Sequence, residues 1–242
     1  MTRPAIRGVV FDKDGTLFDY GRTWPPVNRA AAMAAAGGSE AVANRLLALG
    51  GHDPETDAVA PGSLMAAGNT REIALAWLPE LPHRRVEELV PLLDRVFLEQ
   101  GIANAAPVTD LPALFDRLAA RGLTLAVASN DSEAATAATV GRFGLEARLA
   151  FLAGYDSGHG HKPGPGMVQA FCRTTGLEPA AVCVVGDNLH DLEMGRDAGA
   201  GLLVGVLTGT GTRAVLDAVA HLVLDSIEQL EAALEDRLAP VD

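Results

Sequence analysis

The chain has 242 residues, 48% of them hydrophobic, which is enough apolar material for one large domain or two smaller ones with a substantial core. Its formal net charge is -12 and it has no run of Lys or Arg, so we expect neither a nucleic-acid partner nor an anionic membrane surface. No apolar stretch approaches the roughly 20 residues of a membrane span. A cytoplasmic protein is therefore the expectation.

The first predicted element is a short buried strand that ends in two carboxylates. The apolar residues 9–11 are followed directly by Asp12-Lys13-Asp14-Gly15-Thr16. Two carboxylates this close repel each other unless a cation or a shared proton relieves them, and a hard divalent ion such as Mg²⁺ is suited to oxygen ligands. The alternative is a surface turn, in which Asp and Gly are common. If the strand alternation continues, Lys13 points away from both aspartates, and we assign it no role.

Residues 20–106 show no strand alternation and predict a separate helical unit. The first helix is expected over residues 27–36, with Pro25 and Pro26 in its first turn. A second helix follows Ser39 and continues to residue 49, and a third begins at Asn69 or Thr70 and continues to residue 78. A fourth covers residues 83–100 with a kink at Pro91. This unit interrupts the chain directly after the carboxylate motif.

From residue 108 onward, helices and short apolar strands alternate. Fully apolar strands between helices indicate a mainly parallel sheet covered on both faces, and therefore an α/β fold. The predicted strands cover residues 123–128, 150–153, 181–185, 201–207 and 221–224, and the predicted helices cover residues 110–120, a segment ending near 143, 167–175, 192–198, 212–218 and 226–238.

Two further polar clusters follow apolar strands of this predicted sheet. Ser129-Asn130 follows the second strand, and the segment from Asp187 to Asp191 follows the fourth. Ligands of parallel sheets gather beyond the carboxyl ends of the strands, so three such clusters favour a common site over separate surface turns. Alternatives remain for single residues: Asn130 and Asp131 could cap the next helix, and Asp191 could be a favoured first-turn residue.

The distribution of lysine and arginine along the chain indicates a cation at this site. The chain has 17 arginines and two lysines, Lys13 and Lys162, and Lys162 lies in a glycine-rich loop. A lysine in a chain that otherwise uses arginine indicates that a compact positive charge is needed there. Carboxylates, a hydroxyl beside an amide, and a lysine are the groups of a magnesium-dependent phosphoryl-transfer site.

The ordered motifs Asp12-Lys13-Asp14-Gly15-Thr16, Ser129-Asn130, Lys162-Pro163 and Gly186-Asp187 with Asp191 resemble those of the haloacid dehalogenase superfamily. The resemblance implies a Rossmann-like core of residues 1–19 and 107–242 with an inserted helical cap of residues 20–106. It implies that Asp12 is the nucleophile, Asp14 the general acid and base, and Lys162 the neutralising cation. Phosphate would be bound by Ser129, Asn130 and Lys162, and Mg²⁺ by Asp12, Asp14 and Asp187, with Asp191 a ligand or an anchor. One departure is Gly166, where relatives with Lys-Pro-x-Pro usually continue with Asp or Glu.

The same resemblance predicts the reaction. Asp14 and Asp187 count against dehalogenation, and the absence of any lysine between Lys13 and Lys162 counts against cleavage of phosphonates through a cap lysine. We expect a phosphatase for a small phosphorylated metabolite, similar to phosphoglycolate phosphatases, and a monomer or homodimer. The alternatives are a sugar-phosphate mutase, a phospho-aspartate signalling receiver and an inactive metabolite sensor. Arg22, Asn69 and Arg71 are candidate specificity residues of the cap, although each is more commonly a solvated or helix-capping residue.

Overall fold

The computed structural model describes residues 5–238, so the parts of the predicted core at residues 1–4 and 239–242 lie outside the described residues. The six strands are β1 (Gly8–Phe11), β2 (Thr124–Ala128), β3 (Phe151–Ala153), β4 (Val182–Gly186), β5 (Leu202–Val206) and β6 (Leu222–Leu224). They form one sheet in the order β3-β2-β1-β4-β5-β6, and every neighbouring pair is parallel. The predicted α/β fold with a parallel sheet is confirmed.

Strand β1 lies inside the sheet, between β2 and β4. Val10 pairs with Ala126 of β2 on one side and with Val184 of β4 on the other. All four residues of β1 are buried, as expected for a strand covered on both faces. Separate apolar clusters cover the two faces, one around Val9 and Phe11 and the other around Val10. The residues that follow β1, β2 and β4 therefore emerge side by side.

Two sets of helices surround this sheet and extend from it. The first five helices lie within residues 20–106, directly after β1: α1 (Tyr20–Ala35), α2 (Glu40–Leu49), α3 (Leu64–Ala67), α4 (Thr70–Trp77) and α5 (Val86–Asn104). The others alternate with the later strands: α6 (Leu111–Ala120), α7 (Glu133–Arg142), α8 (Gly166–Thr175), α9 (Leu189–Ala198), α10 (Arg213–Leu216) and α11 (Leu230–Leu234). No helix within residues 5–238 has the length and apolar character needed to cross a membrane.

Helices α1 to α5 bury an apolar cluster of their own. Its members all belong to residues 20–97 and include Trp77, which is fully buried. Tyr20 stacks on Trp24 with 6.2 Å between the ring centroids, and Trp24 packs against Phe97 of α5 at 5.7 Å. These aromatic rings join the start of α1 to α5, on the side of the helical unit that faces the sheet edge.

Several helix predictions were wrong in their boundaries, most of all those for the first and the last helix. Helix α1 begins at Tyr20, five residues before Pro25, because the Asp19 carboxylate accepts a hydrogen bond from the Arg22 N–H and caps the helix there. The closing helix predicted over residues 226–238 is divided into α11 and two flanking 3₁₀ turns, Ile227–Gln229 and Glu235–Arg237. The last turn ends where the Arg237 carbonyl accepts a hydrogen bond from the Ile6 N–H before β1.

Candidate active site

Three neighbouring strands deliver the predicted residues to one place. Asp12 follows β1 and its N–H donates to the Val185 carbonyl, which continues the pairing with β4 for one more residue. Ser129 follows β2 and Asp187 follows β4. All three side chains line one cavity between the carboxyl edge of the sheet and the helical unit. The cavity contains about 620 Å³ of empty space, part of it open to solvent.

Lys162 connects this cluster to the loop after β3. Its ammonium nitrogen lies 2.5 Å from Asp12 Oδ1 and 2.6 Å from Asp191 Oδ1, and the lysine side chain is 3% exposed. Burial opposes the charged ammonium, but the two carboxylates outweigh it and raise the pKa of Lys162. The Lys162 N–H donates to Asn130 Oδ1 at 2.9 Å, which holds the loop against the end of β2. A permanent positive charge therefore lies beside Asp12.

Asp191 has two contacts that explain its position. Its Oδ2 accepts a hydrogen bond from the Asn188 N–H, and the Asn188 side chain in turn caps the first turn of α9. Helix α9 therefore begins at Leu189, three residues earlier than predicted. The other oxygen, Oδ1, holds Lys162. The Asp191 carboxylate therefore fills both predicted roles: it belongs to the first turn of α9, and it anchors Lys162.

Asp12, Asp187 and Asp191 form a group that could hold a metal ion. One carboxylate oxygen of each lies within 4.8 Å of the others. Burial raises the pKa of Asp12 to about 7 although Lys162 opposes the shift, and burial together with the Asp12 charge raises the pKa of Asp187 well above its ordinary value. These three carboxylates are buried and repel each other when ionised, and a divalent cation bound between them would favour their ionised forms.

The residues present fit a hard divalent cation. Asp12 Oδ2 is buried without a hydrogen-bond partner among the described residues, so this oxygen is free to contact a bound group. Asp187 Oδ2 accepts from the Thr210 N–H at 2.7 Å, which fixes its carboxylate. A Cβ atom on Gly209 would lie 1.9 Å from that same oxygen, so only glycine allows the chain to pass this close. The donor set consists of oxygens alone, as Mg²⁺ prefers.

The prediction that Lys13 points away from both aspartates was wrong for Asp14. Its ammonium nitrogen lies 2.5 Å from Asp14 Oδ2 and 3.3 Å from Asp131 Oδ2, and 5.6 Å from the ring centroid of Trp24. Strand β1 ends at Phe11, and the chain then turns, with the N–H of Leu17 donating to the Lys13 carbonyl. The alternation of side chains therefore stops before Lys13, and the lysine turns toward Asp14.

Asp131 is a site residue that the sequence left as a possible helix cap. The N-cap of α7 is Ser132, whose hydroxyl accepts from the Ala135 N–H, so neither Asn130 nor Asp131 is needed there. Burial raises the pKa of Asp131 to about 6, against the opposing charge of Lys13. The position of Asp131 two residues after Ser129, at the end of a predicted strand, was the available signal.

The predicted phosphate-binding residues differ in their availability. The Ser129 hydroxyl lines the cavity and accepts a hydrogen bond from the Asp131 N–H. The Asn130 amide is engaged by backbone groups: its oxygen accepts from Lys162, and its nitrogen donates to the Ala67 carbonyl at 2.8 Å. The side chain of Asn130 therefore joins the Lys162 loop to the helical unit.

None of the three candidate specificity residues is part of the cavity lining. Arg22 and Arg71 are exposed, and neither lines the cavity. Asn69 is buried and completes a capping box with Glu72 at the start of α4. The helical unit instead reaches the cavity through residues that were not singled out, including Tyr20, Trp24 and Asn28 on one face of α1. Their spacing of four residues directly after the carboxylate motif was a usable signal.

Comparison with known proteins identifies the class. Residues 6–199 match the haloacid dehalogenase-like hydrolase family. The N-acetylmuramic acid 6-phosphate phosphatase of Pseudomonas aeruginosa is 28% identical over 82% of this chain and 81% of its own length. A phosphoglycolate phosphatase of Xylella fastidiosa is 29% identical over 80% of this chain and 77% of its own.

The crystal structure of a predicted phosphoglycolate phosphatase from Haemophilus somnus superimposes with a TM-score of 0.72 at 17% identity, over 97% of this chain and 100% of that one, and it supports the fold. The chain belongs to the haloacid dehalogenase-like hydrolase family. The predicted enzyme class, a phosphoric monoester hydrolase, is confirmed by the relatives that share the family.

Proposed function

We propose that this protein is a magnesium-dependent phosphatase that hydrolyses a small phosphorylated metabolite through an aspartyl-phosphate on Asp12. The observation that carries the proposal is the state of the Asp12 carboxylate. One oxygen is held by Lys162, and the other is buried without a partner, in a residue that lines the cavity. A desolvated carboxylate with one free oxygen is placed to attack an electrophile that enters the cavity.

The neighbouring side chains have complementary roles in this proposal. Lys162 neutralises Asp12 and a phosphate oxygen, while the Ser129 hydroxyl and the Asn130 N–H hold the remaining oxygens. Asp14 lines the same cavity and protonates the departing alcohol oxygen; it then takes a proton from the water that hydrolyses the aspartyl-phosphate. Asp191 keeps Lys162 in position.

Mg²⁺ is the cofactor of this proposal. Asp12, Asp187 and the backbone carbonyl of Asp14 would hold it, and when bound it supplies positive charge that offsets the phosphate and lets the carboxylates ionise together. One carboxylate oxygen of Asp12 lies within 4.8 Å of one of Asp187, and this proximity and the glycines that pack against Asp187 support the assignment. The oxygens of Asp191 are taken by Lys162 and by the Asn188 N–H, so we assign Asp191 as an anchor and not as a ligand.

The division of the chain is also part of the proposal. Residues 1–19 and 107–242 form the core that carries the chemistry, and residues 20–106 form a cap over it. The separate apolar cluster of the helical unit supports two units, and the cavity between them supports a cap that excludes water from the reacting phosphate.

Phosphate release from a panel of phosphomonoesters, with glycolate 2-phosphate and N-acetylmuramic acid 6-phosphate included, tests the proposal. We expect release that requires Mg²⁺ and stops with EDTA. Asp12→Asn should lower turnover by at least about 10³-fold, since the nucleophile is lost. Asp217→Asn, an exposed aspartate outside the site, is the matched control and should keep wild-type turnover. Equal turnover by wild type and Asp12→Asn would refute the assignment of the nucleophile.

A further inference from the structure

The cap wall of the cavity is mainly apolar, and two of the residues that line it carry an unpaired buried polar atom. The apolar surface comes from Tyr20, Trp24, Met65, Ile73 and Phe97. Among the described residues, the indole Nε1 of Trp24 and the amide Oδ1 of Asn28 are buried without a hydrogen-bond partner. Trp24 is 8% exposed and Asn28 is fully buried. A buried donor and a buried acceptor without partners are costly unless a ligand satisfies them, and one hydroxyl can do both.

The charges around the cavity leave no cation for a second anionic group. The cap residues of the lining, all within the described part of the chain, include no Lys, Arg or His. Five carboxylates line the cavity: Asp12, Asp14, Asp131, Asp187 and Asp191.

The two nearby lysines are already shared between pairs of carboxylates. Lys162 is held by Asp12 and Asp191, and Lys13 by Asp14 and Asp131. His190 of α9 is the one other side chain of the lining that can become positive, and it belongs to the core. A substrate carboxylate against the cap would therefore meet apolar surface and like charge.

We infer that the alcohol part of the substrate is uncharged and hydroxylated, with an apolar face that packs on Tyr20 and Trp24. This inference rests on the proposed phosphatase function and specifies its substrate class. It separates this chain from the relatives named for glycolate 2-phosphate and N-acetylmuramic acid 6-phosphate, since both of those substrates carry a carboxylate in the alcohol part. Sugar-like phosphomonoesters without a second charge fit the wall.

The test compares phosphomonoesters that differ in one group, with wild-type protein at about pH 8, where an ordinary histidine is neutral. Glycolate 2-phosphate, 2-hydroxyethyl phosphate and propyl phosphate place a carboxylate, a hydroxyl or a methyl at the same position. N-acetylmuramic acid 6-phosphate and N-acetylglucosamine 6-phosphate repeat the charge comparison on a larger alcohol. We expect kcat/KM to be at least about tenfold higher for the neutral hydroxylated ester than for its carboxylate partner in both sets. Propyl phosphate should be several-fold poorer than 2-hydroxyethyl phosphate.

A cation introduced into the cap should change this preference. Ala66 lines the cavity and is only half-buried, so a longer side chain has room there. Ala66→Arg should improve kcat/KM for the carboxylate esters relative to the neutral ones by about tenfold. Ala66→Met has similar length without charge and should leave the ratio unchanged.

Binding to Asp12→Asn, measured by calorimetry with Mg²⁺ present, separates failure of this inference from failure of the phosphatase proposal. If wild type releases no phosphate but the variant binds the neutral hydroxylated esters more tightly, the substrate class stands and the phosphatase function fails. If the carboxylate esters are equal or better in turnover and in binding, or if no ester binds at all, the inference is overturned. Equal use of propyl phosphate would overturn the hydroxyl requirement.

Discussion

Replacing Lys13 with Met should destabilise the fold strongly, because the lysine is the charge partner of two buried carboxylates. Its side chain is 2% exposed, and the side chain of Asp131 is 6% exposed. Met retains most of the aliphatic volume, and the contact with the Trp24 ring loses only its cationic part. The substitution therefore removes a charge and leaves Asp14 and Asp131 facing each other without it.

The structure sets the size of the effect. Two unit charges at the 3.3 Å that separates Lys13 Nζ from Asp131 Oδ2 attract by about 5 kcal/mol at an effective dielectric constant of about 20. Desolvation cancels part of this attraction in the intact pair, but breaking a buried pair leaves an uncompensated charge and costs about 3–5 kcal/mol. That cost is a large fraction of the roughly 5–15 kcal/mol that stabilises an ordinary domain.

Urea unfolding of wild type, Lys13→Met, Asp131→Asn and the double variant measures this energy as a double-mutant cycle. We expect Lys13→Met to lose about 3–5 kcal/mol of unfolding free energy. The coupling with Asp131 should be about 2–3 kcal/mol, since Asp14 competes for the same ammonium. A loss for Lys13→Met within about 0.5 kcal/mol of zero, or a coupling below that value, would refute the reasoning.

Two further substitutions test the cap and the proposed metal site. Asn69→Ala removes the capping box of α4 and should lower the free energy of unfolding in urea by about 1 kcal/mol. The KM should not change, because Asn69 lies outside the cavity lining. A raised KM at unchanged stability would restore its predicted role in specificity. Gly209→Ala would bring a methyl group within 1.9 Å of Asp187 Oδ2 and displace this carboxylate. The Mg²⁺ concentration for half-maximal activity should therefore rise at least about tenfold, as expected when a metal ligand loses the contacts that orient it. Gly101→Ala, where no atom lies within 4 Å of the new methyl, is its control, and an unchanged Mg²⁺ requirement in Gly209→Ala would contradict the assignment of Asp187.

Local sequence patterns were sufficient for the sheet and for the position of its polar edge. Residues 9–11, 124–128 and 182–186 are short and apolar, each is followed by a polar cluster, and all three strands are buried and parallel in the structure. The physical reason is that a strand covered on both faces must be apolar along its whole length. The sharing of one edge by Asp12, Ser129 and Asp187 follows from parallel pairing alone.

The side chains that contact Lys13 and the cavity depend on packing between segments that are far apart in the sequence. The pairing of Lys13 with Asp131 requires that the chain turn directly after β1 and that β2 lie beside β1. Residues 12–16 taken alone indicate neither condition. The packing of Trp24 and Asn28 against the site requires the whole helical unit to fold back over the sheet edge.

By itself, the sequence determined the α/β class, the catalytic motifs and the family that they resemble, since these depend on composition, periodicity and order along the chain. Only the tertiary structure decided which carboxylates each lysine holds and which residues of the helical unit line the cavity. The reason is that ion pairs and cavity walls are made by side chains far apart in the chain. Their distances, between 2.5 and 3.3 Å for the four lysine contacts, are set by packing.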